Sequence, residues 1–142
     1  MSVDVSATLD APVPPEAVFA WVDDLTRYPD WLDIVPRATP THDGAWLVDL
    51  RGRLGPLARS KRLRMVRTAC ESPTHVRFER AEVDGRSHSP WVLDAAVEAH
   101  GDGSRLTMRL HYGGGLFGPV LEKVLRDEIE RSRPRLLACV TA

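Results

Sequence analysis

Val3, Val5, Ala7 and Leu9 alternate with Asp4, Ser6, Thr8 and Asp10. This period of two predicts a strand with one face on a core. Pro12, Pro14 and Pro15 end it. Pro15 suits a first helical position, where a missing N–H costs nothing. Glu16 sits near the positive end of the helix dipole. Val18, Phe19 and Val22 lie at helical spacing, so a short helix is predicted over 15–23. Asp23-Asp24-Leu25-Thr26 breaks it. Tyr28, Trp31 and Leu32 around Pro29 predict a second short helix or turn.

The helical period then disappears until residue 117. Pro36 and Pro40 restrict 34–41 to an edge strand or an irregular one. Four alternating runs follow the turn signal His42-Asp43-Gly44. They place Trp46, Val48 and Leu50 on one face, then Leu63, Met65, Arg67 and Ala69, then Val76, Phe78 and Arg80, then Trp91, Leu93, Ala95 and Val97. Arg62 and Arg64 fall on the opposite, solvent face. Gly101-Asp102-Gly103 signals a tight hairpin into Leu106, Met108, Leu110 and Tyr112. Strands joined by turn-length connections pair antiparallel.

Phe117 to Val140 has a different rhythm. At about 100° per residue, Val120, Leu121, Val124, Leu125 and Ile129 fall on one side. Glu122, Lys123, Arg126, Asp127, Glu130 and Arg133 fall on the other. This predicts a long amphipathic helix of about 36 Å. It is the one predicted element long enough to cover an apolar sheet face. Pro134 is expected to kink it, or to end it in favour of a separate turn at 136–140. Glu128 lands inside the apolar stripe.

At 142 residues, a single domain with a sizeable core is expected. The net charge of -1 gives no global attraction to nucleic acid or to an anionic membrane. No apolar run approaches the roughly 20 residues of a membrane helix. The N-terminus lacks the basic and apolar regions of a signal peptide. Cys70 and Cys139 form no C-x-x-C. Two free thiols in a reducing cytoplasm are the plain reading, and the sequence leaves their pairing open. The expected location is cytoplasmic.

Candidate chemistry lies on the inward faces. Trp46, Met65, Trp91 and Met108 suit an adaptable apolar site, and Phe78, Leu121 and Val124 share those faces. A filled core is the competing reading. Arg67 and Arg80 also point inward by alternation, and either is a prospective partner for Glu128. Glu128 and Tyr112 are the candidate proton-transfer groups, and Arg67, Arg80, Tyr112 and Glu128 are candidate polar anchors for a ligand. His42, His75, His88, His100 and His111 show no metal-ligand spacing, and phosphate-loop and nucleophile motifs are missing, so neither a metal nor a cofactor is expected. Arg51, Arg53, Arg59, Lys61, Arg62, Arg64 and Arg67 form a basic run without an acid. It reads as a solvated strand face or as a docking surface. The run has no interleaved aromatics, which argues against nucleic acid.

Two stretches carry a family resemblance: LDAPVPPEAVFAWVDDLTRYPDWLDIV from Leu9 to Val35, and GGGLFGPVLEKVLRDEIERSRPRLL from Gly113 to Leu137. With the order of elements, they resemble the helix-grip superfamily of START lipid-transfer domains, polyketide cyclases/aromatases and pollen-allergen proteins. The particular resemblance is to its small bacterial polyketide cyclase/dehydrase and lipid transport proteins. The resemblance spans the chain. It implies an α+β helix-grip fold over 1–142: a curved seven-stranded antiparallel sheet wrapped around the C-terminal helix, with two short helices after strand 1 and an apolar cavity between. It implies no fixed catalytic motif.

The first functional expectation is binding of a hydrophobic or polycyclic small molecule, lipid-like or polyketide-like, by a monomer or homodimer that does not insert into membranes. The second is a cyclase, aromatase or dehydratase in the same cavity. The third is a regulatory or toxin-like protein that binds a partner through the basic face.

Overall fold

The computed structural model describes residues 2–52, 60–114 and 118–142. In chain order the elements are β1 (Val3–Ala11), α1 (Pro15–Val22), a 3-10 turn (Leu25–Asp30), β2 (Arg37–Pro40), β3 (Trp46–Leu50), β4 (Lys61–Glu71), β5 (His75–Arg80), β6 (Trp91–His100), β7 (Gly103–Tyr112) and α2 (Gly118–Thr141). The strands form one curved antiparallel sheet in the order β1-β7-β6-β5-β4-β3-β2. The short strand β2, which contains Pro40, forms one edge. Proline without a ladder N–H is tolerated there. This is the predicted α+β helix-grip architecture.

Strand alternation sorts the side chains. Val3, Val5, Trp46, Val48, Leu63, Met65, Phe78, Ala95, Val97 and Leu106 are all buried on the inner face. Their counterparts on the other face carry the charges. A β-bulge between Arg67 and Ala69 interrupts β4. Ala69 therefore lies opposite Arg77 and Cys70 opposite Val76. The expected common face of Met65, Arg67 and Ala69 stops at Arg67, because an extra residue shifts parity from there on.

Buried hydrogen bonds hold the connections. The Tyr28 hydroxyl donates to the Val22 carbonyl at 2.8 Å and ties the 3-10 turn to α1. Burial pushes the Tyr28 phenol far above its ordinary range, with the Asp23 and Asp24 charges adding to the effect. The Ser104 hydroxyl donates to the Val13 carbonyl at 2.6 Å and fixes the chain leaving β1. Next to it, Gly103 admits no side chain: a Cβ there would lie 2.1 Å from the Ala11 carbonyl oxygen.

Helix α2 buries Leu121, Leu125, Glu128, Ser132, Leu136 and Val140, a stripe at spacings of three and four. Val120, expected within the stripe, is 51% exposed. It lies at the stripe's outer margin, beyond the arc that the sheet covers. The helix does not end at Pro134 but continues to Thr141. Pro134 is exposed, so the carbonyl it leaves unpaired faces water, while buried Leu136 and Val140 anchor the last turns. An ion pair between Arg135 and Asp33 adds a tether. Among the described residues no helix is long and apolar enough to cross a membrane. Cys70 and Cys139 are free thiols.

Candidate functional site

Four transverse rows of inward side chains cross β7, β6 and their neighbours. Register puts Trp46, Met65 and Arg80 in one row, which Trp91, Tyr112 and Val3 continue. The next holds Arg67, Phe78, Leu93, Leu110 and Val5. Val76, Ala95, Met108 and Ala7 follow, then Val97, Leu106 and Leu9.

The β3–β5 part of this face is packed with rings. Trp46 meets Phe78 edge-on at 5.5 Å between centroids, and Tyr28 meets Phe78 edge-on at 6.3 Å. Trp31 lies 4.7 Å from Tyr28. The β6–β7–β1 part carries aliphatic side chains under α2, and there a cavity of about 80 Å³ remains. Its sheet wall includes Val5, Ala7, Leu9, Leu93, Leu106, Met108 and Leu110. Its helix wall is Leu125, Ile129 and Leu136, and Trp31, Leu32 and Ile34 close a third side. Thr8, Arg109, Ser132 and Arg133 supply the polar remainder. Ser132 is satisfied by the Ile129 carbonyl at 2.7 Å, and Arg133 by the Thr8 carbonyl at 3.1 Å.

Of the predicted ligand-binding residues, Met108 lines this cavity. Trp46, Met65 and Phe78 lie in the ring-packed part, and Leu121 is buried nearer the start of α2. Val124 is half-buried. Trp91 and Tyr112 stack at 4.6 Å, in the row next to Leu93 and Leu110. Leu32, Ile34, Leu125, Ile129 and Leu136 line the cavity without having been candidates. The helical spacing of Leu125, Ile129 and Leu136 was the available signal. The loop residues had none, since irregular backbone carries no period.

Glu128 is 3% exposed within the α2 stripe. Its partner is Arg131, one turn along the same helix, and not Arg67 or Arg80 as expected. Those two are engaged elsewhere. Arg67 donates to the Asp23 carbonyl at 3.0 Å and lies over the Trp46 ring at 5.5 Å. Arg80, almost wholly buried, pairs with Glu82 at 2.6 Å and also reaches the Ser89 carbonyl and His88. A partner on the same helix needs no long reach across the core, which is why sequence alternation misassigned it. Glu128 Oε2 is buried without a hydrogen-bond partner among the described residues, and so is Trp91 Nε1.

On the outer face, polar groups are paired. Asp94 receives Arg77 at 2.8 Å and His75 at 2.9 Å. Burial pushes the Asp94 carboxyl upward, but the Arg77 and His75 bonds prevail and hold it below its ordinary value. His88, His100 and His111 face Asp84, Asp10 and Asp4. Among the described residues no three metal-binding side chains cluster. Three arginines of the basic run, Arg62, Arg64 and Arg67, are also engaged. Arg62 pairs with Asp49 at 2.8 Å. Arg64, expected in solvent, has only 14% of its side chain exposed and bridges Asp43 and the Ala81 carbonyl. Arg53 and Arg59 lie outside the described residues.

The profile of the polyketide cyclase / dehydrase and lipid transport family matches residues 2–138. No curated protein matches the chain. A START superfamily protein from Mycobacterium smegmatis superposes with a TM-score of 0.74 at 16% identity, over 97% of each chain. The di-domain ARO/CYC BexL from the BE-7585A biosynthetic pathway gives 0.70 at 12% identity, over 99% of this chain and 50% of its own. Ara h 8.0201 gives 0.62 at 15% identity, over 99% and 97%. At these identities the likeness carries the fold.

Proposed function

Since the chain belongs to the polyketide cyclase / dehydrase and lipid transport family, we propose that it holds an apolar small molecule between the sheet and α2. The observation that carries this reading is the cavity left under α2, with its mainly apolar wall. Large rings close the other part of the same face. Empty apolar space forfeits dispersion contacts and is therefore costly to retain. Its 80 Å³ is roughly half the volume that admits benzene into an engineered core. The wall of thin, flexible side chains, Met108 among them, therefore opens further around a larger ligand.

Binding is preferred over catalysis here. Glu128 lies off the cavity wall and is held by Arg131, and Tyr112 has no acid or base bonded to it among the described residues. General acid–base work needs such a group within hydrogen-bond reach of the ligand.

The test uses N-phenyl-1-naphthylamine, a neutral dye whose fluorescence rises in apolar sites. Wild-type protein is expected to bind it, and Ala7→Leu, which extends a side chain into the cavity, to weaken binding about tenfold while leaving the melting temperature equal or higher. Unchanged binding in a folded Ala7→Leu protein would place the ligand elsewhere.

A further inference from the structure

A group of hydrogen-bond donors lies one row beyond the cavity wall. Trp91 and Tyr112 sit side by side in the row beyond Leu93 and Leu110, one two-residue step along the strands, or about 7 Å. Trp91 is 3% exposed, and its indole N–H is buried without an acceptor among the described residues. A buried donor left unpaired is costly, and proteins rarely keep one without a use. The Tyr112 hydroxyl makes no hydrogen bond to a described residue. Lys61, at the start of β4, places its ammonium 6.0 Å from the centre of the Tyr112 ring. It pairs with no carboxylate among the described residues. Arg80 belongs to the same row but is spent on Glu82, Ser89 and His88, so it adds structure rather than a free donor.

The open donors are thus an indole N–H, a phenol and an ammonium. Close packing holds the group together: a Cβ on Gly114 would lie 1.9 Å from the Tyr112 hydroxyl oxygen, so only glycine lets the chain cross the ring there. Helix α2 starts four residues later and carries no acid in its first turn to compete for the donors.

The geometry points to a head-group subsite: Trp91, Tyr112 and Lys61 take the carboxylate of an amphipathic acid whose apolar body lies in the cavity. From the Ala95–Met108 row to the Trp91–Tyr112 row is four residues, about 13 Å, the reach of a medium alkyl chain. This assignment rests on the cavity reading above and adds the ligand's polar end. An ionised carboxylate suits the set better than an alcohol. It accepts several charge-assisted bonds at once and leaves none of the three donors facing a hydroxyl hydrogen.

Displacement of N-phenyl-1-naphthylamine by decanoate and by decanol at neutral pH tests it. Wild-type protein should prefer decanoate by about tenfold. Lys61→Met and Trp91→Phe should each remove that preference and leave decanol displacement unchanged. The indole resonance that Trp91→Phe deletes from the nitrogen–proton NMR spectrum should move downfield when decanoate binds. Equal displacement by the two probes in wild type, or a preference that survives both substitutions, overturns the subsite and leaves the cavity reading standing. Failure of the dye and both probes to bind overturns the cavity reading, and the subsite with it. The wild-type comparison needs no variant to fold.

Discussion

The two parts of the inner face are built from the same kind of strand and end differently. Across β3–β5, Phe78 is fully buried with Trp46 and Tyr28 edge-on against it. Across β6, β7 and β1, Ala7, Leu9, Leu106, Met108 and Leu110 face α2 over unfilled volume. Ring size is one difference and cover is the other. The ring-packed part is closed by the short segment holding Tyr28 and Trp31, which follows the sheet closely. The aliphatic part is covered by α2, which packs mainly along β1, and a single helix does not fill a curved surface. A cavity therefore arises where a curved sheet carries thin side chains under one helix.

The largest expected effect separates these two parts directly. Phe78→Ala should cost about 3–5 kcal/mol, because its ring contacts have no way to close up. Met108→Ala should cost only about 1–2 kcal/mol, since part of that side chain already borders empty space. It should also strengthen binding of dyes bulkier than the wild-type cavity accepts. Denaturant unfolding of both variants checks the ordering. Equal losses would mean that the two parts are packed alike and that the cavity is filled in solution.

A smaller effect concerns Glu128, on the helix that spans the face. One carboxylate oxygen is bonded to Arg131 and the other is buried without a partner. Replacing a poorly compensated buried charge with an apolar group of similar volume is often stabilising. Glu128→Met is expected to raise stability by about 1–2 kcal/mol. A loss of that size would show that Oε2 has an acceptor-seeking partner in solution, an ordered water or a ligand donor. It would return Glu128 to the candidate ligand-binding residues.

Much of this was legible beforehand. Period-two runs located the strands because one face of each is buried. The helical run located α2, and the inward sets follow from alternation. The β4 bulge was hidden because an inserted residue leaves the composition of the run unchanged. Val120 was misplaced because hydrophobicity marks a stripe but not its edges. The cavity's place under Leu106 and Leu110, rather than under Trp46, depends on where α2 lies across the curved sheet. That is a packing outcome among residues more than a hundred positions apart, and no local pattern encodes it. Trp91 and Tyr112 are each placed inward by alternation, and the register joins them in one row. Its open donors appear only once the partners of Arg80 are known.

The smallest expected effect lies on the outer face, where polar groups are matched and exposed. The Thr41 hydroxyl and the Arg64 guanidinium hold the Asp43 carboxyl at about 2, against an ordinary 3.8. Arg62 likewise lowers Asp49, and Arg105 lowers Asp10. A folded-state value below the unfolded one means stability that is present in full above 3.8 and lost as pH falls toward about 2. Asp23 works in the opposite direction: burial raises its carboxyl, so its protonation on acidification favours the folded state. The net expectation is a shallow decline in the urea midpoint below pH 4, flattened by Asp43→Asn and by high salt, because exposed pairs are screened. A steep fall there would mean that a buried carboxylate controls acid stability. The matched outer face would then not be its source, and the contrast between the two parts of the inner face would have to be measured well above that pH.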